Sequence, residues 1–461
     1  MRSAYLAKRV TSVAIRALNY APEAEAVKDK ADFKRAVCFG DVLRLTGSSY
    51  GKVFIRYDCK PSVGAELVTQ ADIFAAEPEG RFIRGEAIRN LEEHRIHRWQ
   101  VLIAGAGQME ETNLFGRSII ADERLIGKIV SPHILRLSPV DDLDTALYTY
   151  AFLCSKIGIR MVHSCAYGSS VPSISSDLLL ALPIPLADDT TLKKIADLIR
   201  ITVNERERYV REAQFGRLCL EALPEMQEAI AMCQERRARC ALWDGELPTM
   251  TGWTYASTGR ALSYLRKRWT ARLGDFIQPG GLLYGPRSSR TRCQPPYGID
   301  FWSQRDLHLI RPIPFRIPTP KQQDSGLLVP ENTLLIASRG QFTEGALFGK
   351  VTIATAEMAK VAITGDAVRL HILPEYALQL YAFLSTSIGL RLLRTSAVGN
   401  SIPMMRLDLV KNLPVPTLDS SIAQQVNTHV KNALEARVTA ANAEKEAVRI
   451  IEEEVLPEWL A

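Results

Sequence analysis

Tyr150-Ala-Phe-Leu153, Ile157-Gly158, Gly168-Ser-Ser-Val-Pro172, Asp177-Leu178 and Leu182-Pro-Ile-Pro185, leading into a charged helix-like segment, form the stretch that decides the fold. The same stretch returns as Tyr381-Ala-Phe-Leu384, Ile388-Gly389, Gly399-Asn-Ser-Ile-Pro403, Asp408-Leu409 and Leu413-Pro-Val-Pro416, again with a helix-like segment behind it. Tyr150 and Tyr381, Pro172 and Pro403, and Pro185 and Pro416 are each 231 residues apart. Identities this dense at one offset are the mark of a tandem duplication. The match extends upstream with small shifts where loops differ. Leu102-Ile-Ala104, Gly107-Gln108 and Leu114-Phe-Gly-Arg117 recur 233 residues on, as Leu335-Ile-Ala337, Gly340-Gln341 and Leu347-Phe-Gly-Lys350. Gly40-Asp41, Tyr50-Gly51, Gln70 and Asp72 recur 234 residues on, as Gly274-Asp275, Tyr284-Gly285, Gln304 and Asp306. A period of half the chain is too long for a solenoid repeat and fits two copies of a whole domain.

The spacing therefore predicts residues 1–187 as a first domain, 188–245 as a central helical region, 246–417 as a second domain and 418–461 as a C-terminal helical region. Within the first domain, Val53-Phe-Ile-Arg-Tyr57 and Trp99-Gln-Val-Leu-Ile-Ala104 read as strands, and Gly105, Gly107 and Gly116 bracket a hairpin-like loop. Leu143 to Met161 reads as one amphipathic helix. Pro183 and Pro185 cannot lie inside a helix, so that exit is extended. Asp188 and Asp419, 231 residues apart, fit helix caps. Behind them run narrow apolar stripes, Ile195, Ile199 and Val203 in one copy and Val426, Val430 and Leu434 in the other. A narrow stripe on a charged helix calls for a partner helix. The proline-rich run Arg311 to Pro320 reads as an exposed insertion, and the last helix as ending near Pro457. The fold class is α/β (α+β), with two repeated domains separated by long helices whose stripes invite packing on each other.

With 461 residues and 47% hydrophobic content, the chain can bury two or three cores. Its net charge of +6, from 57 basic and 51 acidic residues, permits a nucleic-acid partner without requiring one. No apolar run approaches the roughly 20 residues of a membrane span, and the start of the chain lacks the features of a signal peptide. The eight cysteines are scattered. Only Cys59 and Cys293 correspond between copies, which fits reduced thiols in a cytoplasm better than a disulfide framework or a zinc site.

Chemistry-bearing motifs fail the test of duplication. Gly105-Ala-Gly107 resembles a nucleotide-binding turn, but its counterpart Ala337-Ser-Arg-Gly340 has lost the first glycine. Gln294-Pro-Pro-Tyr297 resembles an amino-methyltransferase signature with the wrong first residue, and a turn is the better reading. The histidines show no metal-ligand spacing, and neither His163 nor His371 has a histidine counterpart. What differs between copies lies in polar loops.

Gly168-Ser-Ser, Asp177-Leu and Leu182-Pro-Ile-Pro185 before a long helix resemble the specificity subunits of Type I restriction–modification systems. So do Leu335-Ile-Ala-Ser-Arg-Gly340, Phe348-Gly-Lys350 and Arg272-Leu-Gly-Asp275. The resemblance covers nearly the whole chain. It implies that each domain reads one half of a bipartite double-stranded DNA target and that the two long helices pair as an antiparallel coiled coil that fixes the gap between halves. It also implies no catalysis by the chain itself. The implied partners are adenine methyltransferase subunits, two of them, which would carry S-adenosylmethionine, and a restriction and translocation subunit. Candidate DNA contacts in the first copy are Tyr50, Lys52, Arg56, Gln108, Arg117, Tyr167, Ser169 and Ser170. In the second copy they are Tyr284, Arg287, Arg290, Arg339, Gln341, Lys350, Asn400 and Ser401. The rival readings are a DNA-binding adaptor of another defence complex and a duplicated DNA-modifying enzyme. The second would need a cofactor motif or acidic metal cluster in both copies.

Overall fold

The structure, a computed structural model, describes residues 17–31, 34–47, 56–110, 113–168, 170–234, 257–287, 291–319, 326–341, 345–399 and 402–461. It divides into two compact units, Met1–Arg208 with Ala436–Ala461, and Tyr209–Glu435. The division cuts across both long helices, Asp189–Glu221 and Ser420–Ile450, so each unit takes a share of each helix.

In the first unit a four-stranded antiparallel sheet runs in the order Leu43–Gly47, Ile134–Pro139, Val101–Ala104, Ser118–Ile120. A three-stranded sheet has the order Arg81–Arg84, Gly64–Val68, Ile129–Val130, its last pair parallel. The second unit repeats both. Its four strands are Ile277–Tyr284, Ala367–Ile372, Leu334–Ala337 and Val351–Ile353, and its three are Phe315–Ile317, Ile299–Trp302 and Ala362–Ile363, the last pair again parallel. Each unit adds a short ribbon, Ala166–Tyr167 with Ser173–Ile174 and Ala397–Val398 with Met404–Met405. The duplication inferred from offsets is thus a duplication of topology.

The decisive stretch explains itself locally. Tyr150, Ala151, Phe152 and Leu153 are all buried in the first unit's core. Instead of one helix through Met161 there are two, Leu143–Cys154 and Lys156–Ser164. Ser155 leaves helical geometry at ψ 161° and caps the second helix by accepting from the Gly158 amide at 3.0 Å. A Cβ on Gly158 would lie 2.0 Å from the Phe152 carbonyl oxygen, so this turn needs glycine. The second copy does the same with Thr386 and Gly389, where a Cβ would lie 2.2 Å from the Phe383 oxygen.

The extended double-proline exit is a strand, Pro183–Pro185, paired antiparallel with Ala36–Cys38. Its counterpart is the bridge between Arg272 and Pro414. Asp188 accepts from the Thr190 and Thr191 amides, at 2.9 and 3.0 Å, and Asp419 from the Ile422 amide at 2.9 Å, so both caps form. Ile195, Ile199 and Val203 are buried in the first unit, as are Val426 and Val430 in the second.

Several expectations change. The strand expected from Trp99 begins at Val101, because Trp99 turns the chain at φ 68°. The proline-rich run is no exposed insertion, since Phe315–Ile317 is a strand and Ile313 and Ile317 are buried. Edge position is what lets a strand sit among prolines. The last helix does not stop at Pro457: the chain continues through Ile451–Val455 into Leu456–Leu460, with Pro457 in its first turn. Of the expected strand Val53 to Tyr57, residues 53–55 lie outside the described residues, and Arg56 and Tyr57 are irregular. The basic cluster Arg236 to Arg239 and the start of the second domain near Thr249 also lie outside them.

Candidate nucleic-acid interface

In each unit one shared glutamine anchors the loop that follows the central strand. Gln70 donates to the Ala106 carbonyl at 2.8 Å and accepts from the Ala106 amide at 3.2 Å. Gln304 donates to the Arg339 carbonyl at 2.8 Å and accepts from the Ser338 and Arg339 amides at 3.1 and 3.2 Å. Each glutamine is itself set by a turn. Asp72 accepts from the Thr69 amide and hydroxyl, both at 2.7 Å, and Asp306 accepts from the amide and hydroxyl of Ser303, at 2.8 and 2.5 Å. Gln70, Asp72, Gln304 and Asp306 therefore hold the backbone and are not left over for a ligand.

The anchored loop meets a second loop. Ala106 bridges Ser173, and the Gly107 amide donates to the Pro172 carbonyl at 3.1 Å. This brings exposed Gln108 to the 168–172 loop, where Tyr167, Ser170 and Val171 are exposed. In the second unit Arg339 bridges Met404, so Arg339 and exposed Gln341 adjoin the end of the 399–403 loop. Val171 and Ile402 stand 231 residues apart and are 62% and 70% exposed, so each copy exposes an aliphatic side chain at this position.

The remaining candidates are placed as follows. Arg117 is half-buried and donates to the Asn113 carbonyl at 3.0 Å. Arg339 pairs with Asp366 at 3.1 Å. The Tyr284 hydroxyl donates to the Met405 carbonyl; burial raises its pKa and nearby Arg339 works against the rise. Lys350 is half-buried, while Arg56 and Arg287 are exposed. Tyr50, Lys52, Ser169, Arg290, Asn400 and Ser401 lie outside the described residues.

Sequence reasoning missed an arginine pair. Arg136 and Arg369, 233 residues apart, are buried in the second strand of each four-stranded sheet. Arg136 donates to the carbonyls of Thr46 at 3.0 Å, Arg95 at 2.5 Å and Glu93. Arg369 donates to Ile363 at 3.0 Å and to Gly326. Burial lowers both pKa values, Arg369 to about 10, which leaves the Arg369 guanidinium charged at neutral pH. Each ties down carbonyls of a neighbouring strand and of the chain beside it. The offset that aligns Leu102 with Leu335 also aligns these two, and would have found them.

His163 has a counterpart in role though not in type. It stacks on Phe115 with ring centroids 5.4 Å apart, and its Nε2 lies 2.9 Å from the Phe115 carbonyl oxygen. Arg394, 231 residues on, donates to the equivalent Phe348 carbonyl at 2.9 Å. No group of three or more His, Cys, Asp or Glu among the described residues could hold a metal ion. No helix among them is long and apolar enough to cross a membrane.

The fold and site thus define a duplicated mixed α/β protein in which each unit presents a loop pair anchored by glutamine. No family model matches the chain, and no curated protein matches it. Among solved structures it is similar to the Type-I restriction-modification system S subunit from M. genitalium, at 14% identity and TM-score 0.31, covering 92% of this chain and 95% of that one. It is similar to the HsdS subunit from Thermoanaerobacter tengcongensis, at 15% identity and TM-score 0.26, covering 92% and 96%. A chain solved in work on complex assembly and conformational transition of the type I R-M system is 14% identical with TM-score 0.27, covering 92% and 97%.

Proposed function

We propose that this chain is the DNA-recognition subunit of a Type I-like restriction–modification complex, each unit reading one half of a bipartite target. The observation that carries the reading is the repeated loop pair, with the same sheets and the same anchoring glutamine beneath it, and loop residues that differ in part between copies, Tyr167 against Val398 and Ser169 against Asn400. Two readers of unrelated base sequences need that arrangement, because base-edge contacts must vary while the frame that aims them must not. The long helices act as the spacer. Supporting this, partners on the two helices within the second unit run in opposite order: Glu212 with His429 at 2.8 Å, and Cys219 with Gln425 at 4.0 Å. Methyltransferase subunits carrying S-adenosylmethionine dock on the protein and perform the chemistry, together with a restriction and translocation subunit.

The test is a domain exchange. Residues 1–187 are replaced by the corresponding domain of a relative, the chimera is expressed with its methyltransferase subunits, and methylated bases are mapped across the host genome. One half of the motif changes and the other stays. A change in both halves, or in neither, refutes the two-reader arrangement.

A further inference from the structure

The ribbon of Ala397–Val398 with Met404–Met405 presents side chains that the recognition reading leaves unassigned. Val398 lies opposite Met404, and Ala397 opposite Met405. Residues opposite each other share a face. Ala397 and Met405 are buried, so Val398 and Met404 form the outward one. From Ile402 to Arg406 the side chains alternate exposed, buried, exposed, buried, exposed, which puts Ile402 on the same outward face as Met404. Met404 is also the bridge partner of Arg339, whose guanidinium is taken up by Asp366 at 3.1 Å. Pairing and alternation therefore gather three apolar side chains on one face: Ile402 70% exposed, Met404 37% exposed and Val398 half-buried.

The first unit builds the same ribbon with other chemistry. Tyr167 lies opposite Ser173, Ala166 and Ile174 are buried behind them, and Val171 holds the place of Ile402. A phenol and a hydroxyl thus stand where the second unit has valine and methionine. The frames coincide: a Cβ on Gly168 would lie 3.7 Å from the Val171 carbonyl oxygen, and one on Gly399 at 3.7 Å from that of Ile402. A surface for a subunit that serves both halves alike would keep its chemistry, whereas a surface that reads bases changes with the bases read. Among the groups that base edges present in the major groove, the thymine methyl is the apolar one.

We infer that Val398, Ile402 and Met404 contact thymine methyl groups in the major groove, so that the half-site read by the second unit contains thymine where they meet it. The inference rests on the DNA-recognition reading above and adds to it the identity of a base.

The test uses the full chain with its methyltransferase subunits. The methylation map gives the motif, and the domain exchange assigns its halves to the two units. Duplexes are then made in which uracil, lacking only the methyl, replaces thymine in the half assigned to the second unit, and affinity is read by fluorescence anisotropy. Each contacted methyl that is lost weakens binding about fourfold. The variant Ile402→Ser, Met404→Ser, changed only at exposed side chains, binds thymine and uracil duplexes alike. Three results overturn the inference and leave the recognition reading standing: a second half-site without thymine on either strand, equal binding of both duplexes by the wild type, or a variant that still discriminates. A variant that no longer assembles with the methyltransferase subunits also overturns it, and makes the face a protein interface. The absence of any bipartite motif overturns the inference and the recognition reading together.

Discussion

The signature tyrosine of the decisive stretch ends on a buried charge, and that charge can be tested. In the first unit the Tyr150 hydroxyl donates to Glu444 Oε1 at 2.5 Å, and Arg206 Nη2 donates to Glu444 Oε2 at 2.7 Å. The Arg206 and Glu444 side chains are 1% and 4% exposed. Burial alone would lower the Arg206 pKa, but Glu444 and Tyr150 outweigh it and the value is raised. Glu444→Ala strands a guanidinium in the core, a loss that costs about 3–5 kcal/mol when one partner of a buried pair is removed. At about 2–4 °C per kcal/mol for a unit of this size, the first unit's melting transition drops by roughly 6–20 °C. Tyr150→Phe keeps the ion pair and loses one bond to a charged acceptor, about 1.5–3 kcal/mol. The decisive variant is Arg206→Leu, Glu444→Leu in a Tyr150→Phe background, which leaves no buried hydroxyl without its acceptor. Removing both charges also removes the desolvation they carry, so it melts near or above the wild type. Scanning calorimetry on all three variants reads the result. A Glu444→Ala protein within about 1 kcal/mol of wild type, or a triple variant as damaged as the Glu444→Ala one, refutes the reasoning.

Burial lowers the His163 pKa, so its folded value lies below the unfolded one, near 6.5. Its contribution to stability is therefore full above pH 6.5 and is lost as pH falls through the folded value. Urea midpoints at pH 7.5 and 5 should differ less in His163→Gln than in the wild type, and an equal difference would contradict this assignment. Gly158→Ala and Gly389→Ala each force a Cβ against a carbonyl oxygen, at 2.0 and 2.2 Å, and lose at least about 1–3 kcal/mol. Thermal melts unaffected by either change would show that the turns have room to move.

The sequence was legible wherever the two copies could be laid over each other, because a repeated residue reports a repeated constraint. The offsets located the strands Val101–Ala104 and Leu334–Ala337, the caps Asp188 and Asp419, and the glycines at 158 and 389. It was opaque where a residue's partner is distant in sequence. Nothing near Arg311 to Pro320 signals that its central residues pair with Ile299–Trp302, and proline content argued for a loop. Nothing near Leu143 to Met161 signals a break at Ser155, because the apolar spacing runs on through it. On the proposed function, base contacts belong to the least legible part, since positions that read different sequences have no reason to repeat.

His163 and Arg394 make the relation between repetition and function sharper. The Phe115 and Phe348 carbonyls both need a donor, and a histidine serves one copy and an arginine the other. The two copies thus keep a hydrogen bond without keeping the residue that makes it. Identity across the offset is a stricter property than structural need, and the residues that retain it include those for which chemistry offers no substitute. A glycine at 158 cannot be exchanged for a residue with a Cβ. Gln70 and Gln304 must donate and accept at once, which only a side-chain amide does over that reach. By the same logic, divergence at an exposed loop position does not count against a role there. A position free of backbone duties is one whose residue can be chosen by what it contacts outside the protein.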